Sequence, residues 1–265
     1  MKILRLIFPA LLTWLAAVSY AGAEPKAEPQ KVWVFDCEHF GTGKYRYMVA
    51  PAAIKIINTA NGGIALAKAP TWRVSCFRES EKLEWTAPLS NFDESAISSY
   101  IDVPSKREAK KYTVLGKESL LGLKCLKCRL IDNRVIWVAE EVHAAPQTTE
   151  TVARYFNYPS SGGIPLRVID PSISAKKVGL KPEELEKQRQ REKFAKQVPW
   201  LSFKGIKVAA AGNLTVDLKS WKKIDYKGSD FEYPKGYKQT RDLKEVIISK
   251  EYRDVIKGLV DDLSR

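Results

Sequence analysis

The sequence predicts a mainly β protein built on an antiparallel sheet, and three observations support this fold class. Apolar and polar residues alternate over short runs, as in residues 32–40, where Trp33, Phe35 and Cys37 share one face. Turn-forming residues such as Asn61-Gly62-Gly63 separate successive runs at close spacing. The early runs follow one another without helical patterns between them, which argues against helix-linked parallel strands. We therefore expect neighbouring strands to pair as an antiparallel meander.

The predicted strands form two blocks, each made of short runs joined by turns. The first block ends near residue 89, and the second begins near residue 111. A turn at Asp132-Asn133 connects two strands of the second block. In chain order the predicted strands are 32–40, 45–49, 54–58, 64–68, 72–78, 82–85, 111–116, 123–131, 135–139 and 164–169.

Three segments are predicted to be helical. Residues 149–157 form a short helix with Thr149 as its N-cap. Residues 182–197 lack an apolar stripe, so we expect an exposed, lysine-rich helix within an insertion at about 176–197. A lid or a partner-contact helix is the alternative for that segment. Residues 251–263 have a regular apolar stripe, which predicts an amphipathic helix that packs on its own core, a membrane surface or a partner.

The N-terminal segment has the pattern of a signal peptide. Lys2 and Arg5 precede a short apolar stretch, and the small residues Ala21-Gly22-Ala23 form a cleavage site. We predict export to the periplasm or the extracellular space after cleavage near Ala23, with an uncleaved N-terminal anchor as the alternative. The predicted organisation is a signal peptide at 1–23, a linker at 24–30, a sheet domain at 31–250 and an amphipathic helix at 251–265.

The charge of the chain restricts its partners. It has 44 Lys+Arg against 31 Asp+Glu, a formal net charge of +13 at pH 7. An excess of basic residues favours an anionic membrane surface or polymer as a partner, although many such lysines are simply solvated. Nucleic acid is not expected as a partner, because the predicted export separates the protein from it.

The sequence contains no motif of a catalytic or cofactor site. It lacks a Gly-rich phosphate loop, a Gly-x-Ser-x-Gly elbow and a His-Glu-x-x-His helix. Its two histidines, His39 and His143, lie on a predicted strand and in a predicted loop, a placement that forms neither a triad nor a metal cluster. We therefore predict that the protein is not an enzyme and that it binds neither a metal nor a cofactor.

The cysteines suggest disulfides more than redox chemistry. Cys125 and Cys128 have the spacing of a redox pair, but a strand puts them on opposite faces at about 10 Å. Cys37, Cys76 and Cys128 lie on apolar faces, so Cys37 could pair with Cys76, or either could pair with Cys128, in an oxidising compartment. The sequence does not choose between these pairings.

Four segments together resemble one protein family. In chain order they are a glycine-containing turn followed by a cysteine, two predicted strands and a late aromatic segment. The turn is Leu115-Gly116 with Leu121-Gly122-Leu123-Lys124-Cys125. The strands are Ile136-Trp137-Val138-Ala139 and Gly163-Ile164-Pro165-Leu166-Arg167, and the aromatic segment is Phe231-Glu232-Tyr233-Pro234-Lys235-Gly236-Tyr237. This order resembles the LolA-like superfamily of periplasmic lipoprotein carriers and its uncharacterised secreted relatives, over most of residues 30–248. The resemblance implies a curved antiparallel sheet that forms an incomplete barrel, with a few helices covering its concave side. In the carriers that concave side holds acyl chains.

Large aromatic residues are the candidates for lining such a concave face. Trp33, Phe35, Trp72, Trp85 and Trp137 all lie on predicted strands, where they either fill the core or line a cavity. The leading hypothesis is an exported, non-enzymatic binding protein that holds an apolar, lipid-like or acylated ligand. The alternative is an envelope interaction protein whose lysine-rich surface binds anionic membrane or polymer, and a thiol oxidoreductase is the third hypothesis.

Overall fold

The computed structural model describes residues 30–39, 43–92, 112–131, 133–156, 162–170, 214–250 and 253–254. The strands in these residues form a single twelve-stranded sheet that does not close into a barrel. This confirms the predicted fold class, a mainly β protein with a curved antiparallel sheet and few helices. The strands are β1 (Lys31–His39), β2 (Gly43–Ala50), β3 (Ala53–Asn58), β4 (Gly63–Lys68), β5 (Arg73–Arg78), β6 (Leu83–Pro88), β7 (Tyr112–Leu120), β8 (Leu123–Leu130), β9 (Val135–Ala139), β10 (Pro165–Ile169), β11 (Leu214–Asp225) and β12 (Lys238–Gln239).

The sheet consists of two meanders joined by one strand. Its order is β12-β6-β5-β4-β3-β2-β1-β11-β10-β9-β8-β7. Within β1–β6 and within β7–β10, each strand pairs with the next strand along the chain, as the sequence predicts. β11 pairs with β1 on one side and with β10 on the other, and it thereby joins the two blocks. The described pairings are antiparallel except that of β12 with β6.

β11 is absent from the strands predicted above, and a bulge explains why. Asp36 opposes Ser220 whereas Cys37 opposes Leu218, so Lys219 is an extra residue in β11. The apolar alternation therefore changes phase in the middle of the strand. Such a strand shows no continuous apolar face in the sequence, although it occupies a central position in the sheet.

The first helix, α1, extends over Pro146–Phe156 and lies between β9 and β10. It begins three residues before the predicted start, so Thr149 is a buried residue of its first turn and not its N-cap. Proline, which has no backbone N–H, is favoured at the first helical position because an N–H there would have no hydrogen-bond partner within the helix. The helix buries Val152 and Tyr155, while Phe156 at its end is half-buried.

A second helix, α2, covers Leu243–Ile247 and was not predicted. The Asp242 carboxylate caps it by accepting a hydrogen bond from the backbone N–H of Lys244 at 2.8 Å. The predicted helix at 182–197 lies outside the described residues. Within the predicted helix at 251–263, only 253–254 are described, and both are helical.

The larger core lies on the face of the sheet that α1 covers, which we call the α1 face. Trp33, Phe35 and Cys37 of β1 point to this face and pack in one cluster with Val152 and Tyr155 of α1. Their spacing of two residues is that of one side of a strand. The first meander is therefore held against α1 by large apolar side chains.

A smaller core lies on the opposite face of the same meander. Val32 and Val34 of β1 are buried there, and Phe231 packs on them from the segment after β11. Tyr233 and Tyr237 of that segment extend the cover. Since both faces of β1 are buried, its first half is apolar at consecutive positions, and the alternation predicted for this strand holds only from Phe35 to His39.

A buried arginine ties the C-terminal segment to the first meander. Arg78 ends β5 and is 1% exposed, and its Nε lies 3.2 Å from a carboxylate oxygen of Glu81. Its guanidinium also donates to the backbone carbonyl of Ile247, at the end of α2, at 2.8 Å. Arg253 bonds to the same Glu81 at 3.0 Å. Two guanidinium groups thus share one carboxylate at this junction.

Candidate functional site

Trp33 and Phe35, two of the predicted lining residues, are packed in the core of the α1 face. Trp33 is 9% exposed, and Phe35 is fully buried. Their rings stack at 5.9 Å, and the Trp33 ring lies 5.7 Å from that of Trp221. The Lys223 ammonium lies 4.0 Å from the centre of the Trp33 ring, a cation–π contact. These rings fill space between elements, as buried aromatic residues usually do.

Trp72 and Trp85 lie at the margin of the same core. Trp85 is half-buried on β6, with its ring 5.9 Å from that of Phe92. Trp72 differs from its predicted position, because β5 begins at Arg73 and Trp72 lies in the preceding turn. Its φ of +49° is a left-handed conformation that the turn requires and that a strand residue does not adopt.

Trp137 points to the face of the sheet opposite the α1 face, whereas Trp33 and Phe35 point to the α1 face. The register aligns Trp137 with Arg167 on β10, and Arg167 with Asp217 on β11. Asp217 in turn opposes Glu38, which points away from the α1 face because it follows Cys37 on β1. Since directly opposed residues point to the same face, Trp137 does not share a face with the β1 aromatic residues.

Charged side chains enclose Trp137. The Lys127 ammonium lies 5.1 Å from the ring centre, and the Arg167 guanidinium carbon lies 5.9 Å from it. The indole N–H donates to a Glu118 carboxylate oxygen at 2.7 Å. Hydrogen bonds from Lys127 and Trp137 hold the pKa of the Glu118 carboxyl below its usual value. Trp137 is thus buried between these charged groups and the apolar residues of its cluster, and it lines neither of the two cavities described below.

A cleft of about 510 Å³ opens on the α1 face at the β8–β9 end of the sheet. Leu126 on β8 and Val138 on β9 oppose each other in register and contribute to its wall. Val138 points away from the face of its neighbour Trp137. The lining residues are Leu126, Val138, Ala139, Glu140, Val142, His143, Ala144, Gly162 and Gly163.

Two glycines bring the segment before β10 close to β9. A Cβ at Gly163 would lie 3.0 Å from the Cβ of Val138, so only glycine allows this approach. Gly162 has a φ of +73°, and a Cβ there would lie 3.1 Å from the Tyr112 hydroxyl. The absence of side chains at both positions keeps this wall of the cleft thin and leaves its interior open.

The rim of the cleft is polar, whereas several of its lining residues are apolar. Glu140 at the rim forms an ion pair with Lys117 at 2.7 Å, and the Lys117 side chain is 73% exposed. His143 is exposed, while Val142 and Ala144 are half-buried. The cleft is open on one side and exposes about as much polar as apolar surface, which suits an amphipathic ligand with one aliphatic part and one polar end.

A second, smaller cavity has a volume of about 120 Å³. It is below the usual range of roughly 300–1,000 Å³ for small-molecule sites. None of the five predicted aromatic residues lines either of these two cavities. The smaller one is lined by Gln30, Ala50, Ala52, Ala53, Lys68, Ala69 and Tyr226.

His39 belongs to an aromatic cluster beneath α1. Its ring stacks on that of Phe156 at 4.1 Å and meets the Tyr45 ring edge-on at 4.8 Å. Its Nε2 contacts the Tyr47 hydroxyl, and Tyr155 packs against Tyr45 at 6.1 Å. Burial lowers the pKa of His39 to about 3, so the imidazole is neutral at physiological pH. The cluster fills the α1 face at the first meander.

The four cysteines are buried free thiols, so the disulfides considered above are not formed. Three strands separate Cys37 on β1 from Cys76 on β5, and three separate it from Cys128 on β8. Four inter-strand spacings measure about 19 Å along the sheet, against a Cα limit of roughly 7 Å for a disulfide. Cys125 is also buried, although Lys127 and Arg129 lie on the same side of β8, and burial raises its pKa to about 11.

Metal-ligating groups and membrane-spanning helices are both absent from the described part of the chain. Within it, no three His, Cys, Asp or Glu side chains are arranged to hold a metal ion. None of its helices combines the length and apolar character that a bilayer span requires.

Comparison with solved structures finds a weak structural likeness. An uncharacterized conserved protein from Thermus thermophilus is similar over 80% of this chain and 90% of its own length, with 10% sequence identity and a TM-score of 0.37. No protein-family model and no curated protein matches the chain. At this TM-score the likeness carries no argument about function.

The cleft residues were not among the sequence candidates. Leu126 and Val138 look like ordinary strand residues, and Val142 and Ala144 lie in a segment without regular structure. The usable signal was Gly162-Gly163, since adjacent glycines before a strand indicate a close approach of two backbones. The choice of large aromatic residues pointed to the filled part of the α1 face instead.

Proposed function

We propose that this protein is an exported, non-enzymatic binding protein that holds an aliphatic chain of a lipid-like or acylated ligand in the cleft. The observation that carries this proposal is the cleft itself, which at about 510 Å³ is within the size range of ligand sites. The signal-peptide pattern of residues 1–23 supports export, and the resemblance to LolA-like carriers agrees with an acyl ligand.

The energetics favour an aliphatic ligand. Burying one methylene group contributes about 0.8 kcal/mol, so a chain that buries about eight of them gains about 6 kcal/mol. The loss of translational and rotational freedom on binding offsets part of this gain. The polar end of the ligand would remain at the rim, beside the ion pair of Lys117 with Glu140. We expect micromolar affinity for a long-chain fatty acid.

Filling the cleft should abolish most of this affinity. Ala144 lines the cleft from a segment outside the regular strands, so Ala144→Phe adds volume inside the site without changing the sheet. We expect at least tenfold weaker binding of cis-parinaric acid, a fluorescent fatty acid, which is about 1.4 kcal/mol. The measurement is a fluorescence titration of the purified protein at constant salt concentration.

Ala60→Phe is the matched control for this experiment. Ala60 is an exposed residue of the turn between β3 and β4, far along the sheet from the cleft. It should bind the probe as the unmodified protein does, and thermal unfolding checks that both variants are folded. Absence of binding by the unmodified protein, or equal binding by both variants, contradicts the proposal.

Binding to an anionic membrane or polymer is the second candidate function. It is favoured by the charge of the chain without residues 1–23, which is 42 Lys+Arg against 31 Asp+Glu or +11, and by the exposed Lys124 and Arg129 of the β7–β8 hairpin. Attraction of this kind is screened by salt. Cosedimentation with phosphatidylserine vesicles should then be saturable at low salt and lost at high salt. Binding of the fatty acid should be insensitive to salt.

A further inference from the structure

The two edges of the sheet are built differently. At one edge, the outermost strand is β12, which has only two residues and pairs in parallel with the start of β6. Such a short edge strand discourages pairing with another chain. At the other edge, β7 has nine residues, and its only strand partner in the described part of the chain is β8.

β7 is also where exposed apolar side chains are concentrated. Tyr112, Val114 and Leu115 are 41%, 53% and 39% exposed, and Leu120 is the only buried residue of the strand. Nine residues in a strand span about 30 Å, which is long for an edge that no strand of the described residues covers. Natural proteins usually protect such an edge, because its backbone groups and apolar side chains can pair with another strand.

The charge around β7 favours an acidic partner. Residues 112–131 contain four basic residues and one acidic residue, but Lys127 pairs with Glu118 and Lys117 with Glu140, so the excess positive charge comes from Lys124 and Arg129. Lys124 and Arg129 are exposed on β8, one strand from the edge. An extended peptide beside β7 would therefore meet positive potential, which attracts carboxylates and disfavours basic segments.

A second copy of this chain fits the edge poorly. In a symmetric antiparallel pair, one residue of β7 opposes its own copy, because directly opposed residues share a face. In the regular stretch at 116–120, a pair centred on Lys117 or Glu118 puts identical charges opposite each other. The bulge at Leu115 interrupts pairing on the other side of this stretch.

We propose that β7 is a docking edge for an extended, acidic peptide segment of a partner protein, which adds to the sheet as a further strand. The backbone of β7 supplies hydrogen bonds, its exposed apolar residues receive alternate side chains of the peptide, and the exposed Lys124 and Arg129 of the neighbouring strand select for acidic residues. This inference is independent of the proposed ligand cleft.

The test uses a fluorescein-labelled nine-residue peptide that alternates valine with glutamate. Fluorescence anisotropy should show saturable binding to the purified protein. The same peptide with alternate backbone amides methylated keeps its charges and side chains but loses strand hydrogen bonds, and it should bind at least tenfold more weakly. A peptide with lysine in place of glutamate should not bind.

Two protein variants locate the binding. Val114→Asp introduces a carboxylate on the edge and should weaken binding at least tenfold. Ile131→Asp makes the same change of charge at an apolar residue that is 46% exposed in the turn after β8, and its effect should stay within about twofold. The cleft variant Ala144→Phe should bind the peptide normally, which separates this inference from the proposed function.

Three results would overturn the inference. They are an absence of peptide binding, equal binding of the methylated peptide, and equal loss of binding in both aspartate variants. Analytical ultracentrifugation adds a fourth: a dimer of the unmodified protein that Val114→Asp converts to a monomer would assign the edge to a second copy.

Discussion

Replacing Arg78 with methionine is expected to lower the free energy of unfolding by about 3–5 kcal/mol. The guanidinium is almost completely buried, and it serves the Glu81 carboxylate and the backbone carbonyl of Ile247 together. Methionine keeps the length of the side chain but leaves these acceptors without one of their donors, which is costly in a buried site. Urea unfolding followed by tryptophan fluorescence measures the change.

Arg73→Met is the matched control on the same strand. The Arg73 side chain is 46% exposed, and its nearest carboxylate, that of Glu84, lies 3.9 Å away. Glu84 is buried but accepts hydrogen bonds from Ser75 and Gln239 as well, so loss of the long contact with the half-exposed Arg73 is expected to cost at most about 1 kcal/mol. A loss of less than about 1 kcal/mol in Arg78→Met, or equal losses in the two variants, would show that the buried cluster does not anchor the C-terminal segment.

Acidification from pH 7 to pH 5 is expected to cost the native state about 2 kcal/mol through His39 alone. Burial lowers the pKa of the folded imidazole to about 3, whereas in the unfolded chain it is near 6.5. The unfolded state therefore binds a proton that the folded state does not. This contribution to stability is complete above pH 6.5 and is lost progressively as the pH falls towards 3.

His39→Phe isolates this contribution. A phenyl ring preserves the stacking on Phe156 but does not titrate. The variant should lose about 2 kcal/mol less than the unmodified protein between pH 7 and pH 5, measured by urea unfolding at both values. Identical pH dependence in the two proteins would mean that protons reach the imidazole in the folded state.

Local sequence signals account for most of the sheet. At the predicted hairpin, the Asn61 side chain accepts a hydrogen bond from the Gly63 N–H at 2.9 Å, and Gly62 has a φ of +75°. Such turns and the alternation between them are readable from a few residues. β11 was not readable, because its bulge depends on its pairing with β1, a partner far away in the chain.

The candidate site was harder to predict than the fold. Large rings such as Trp33 and Phe35 were reasonable lining candidates, but their size makes them the residues that fill a core. The cleft forms where small residues, Ala139 and Ala144, leave space between segments. A space of this kind depends on distances between parts of the chain, and no local pattern of residues encodes those distances.

The position of β11 has a consequence for the order in which the protein folds. Lys31 and Asp225 oppose each other in the sheet although they are 194 positions apart in the chain. Pairings over such separations form slowly, because closing a long loop costs entropy before any contact is gained. Until β11 inserts, β1 and β10 are open edges of two half-sheets, which can associate with other chains. Efficient maturation therefore depends on shielding the first half-sheet until the last quarter of the chain is available.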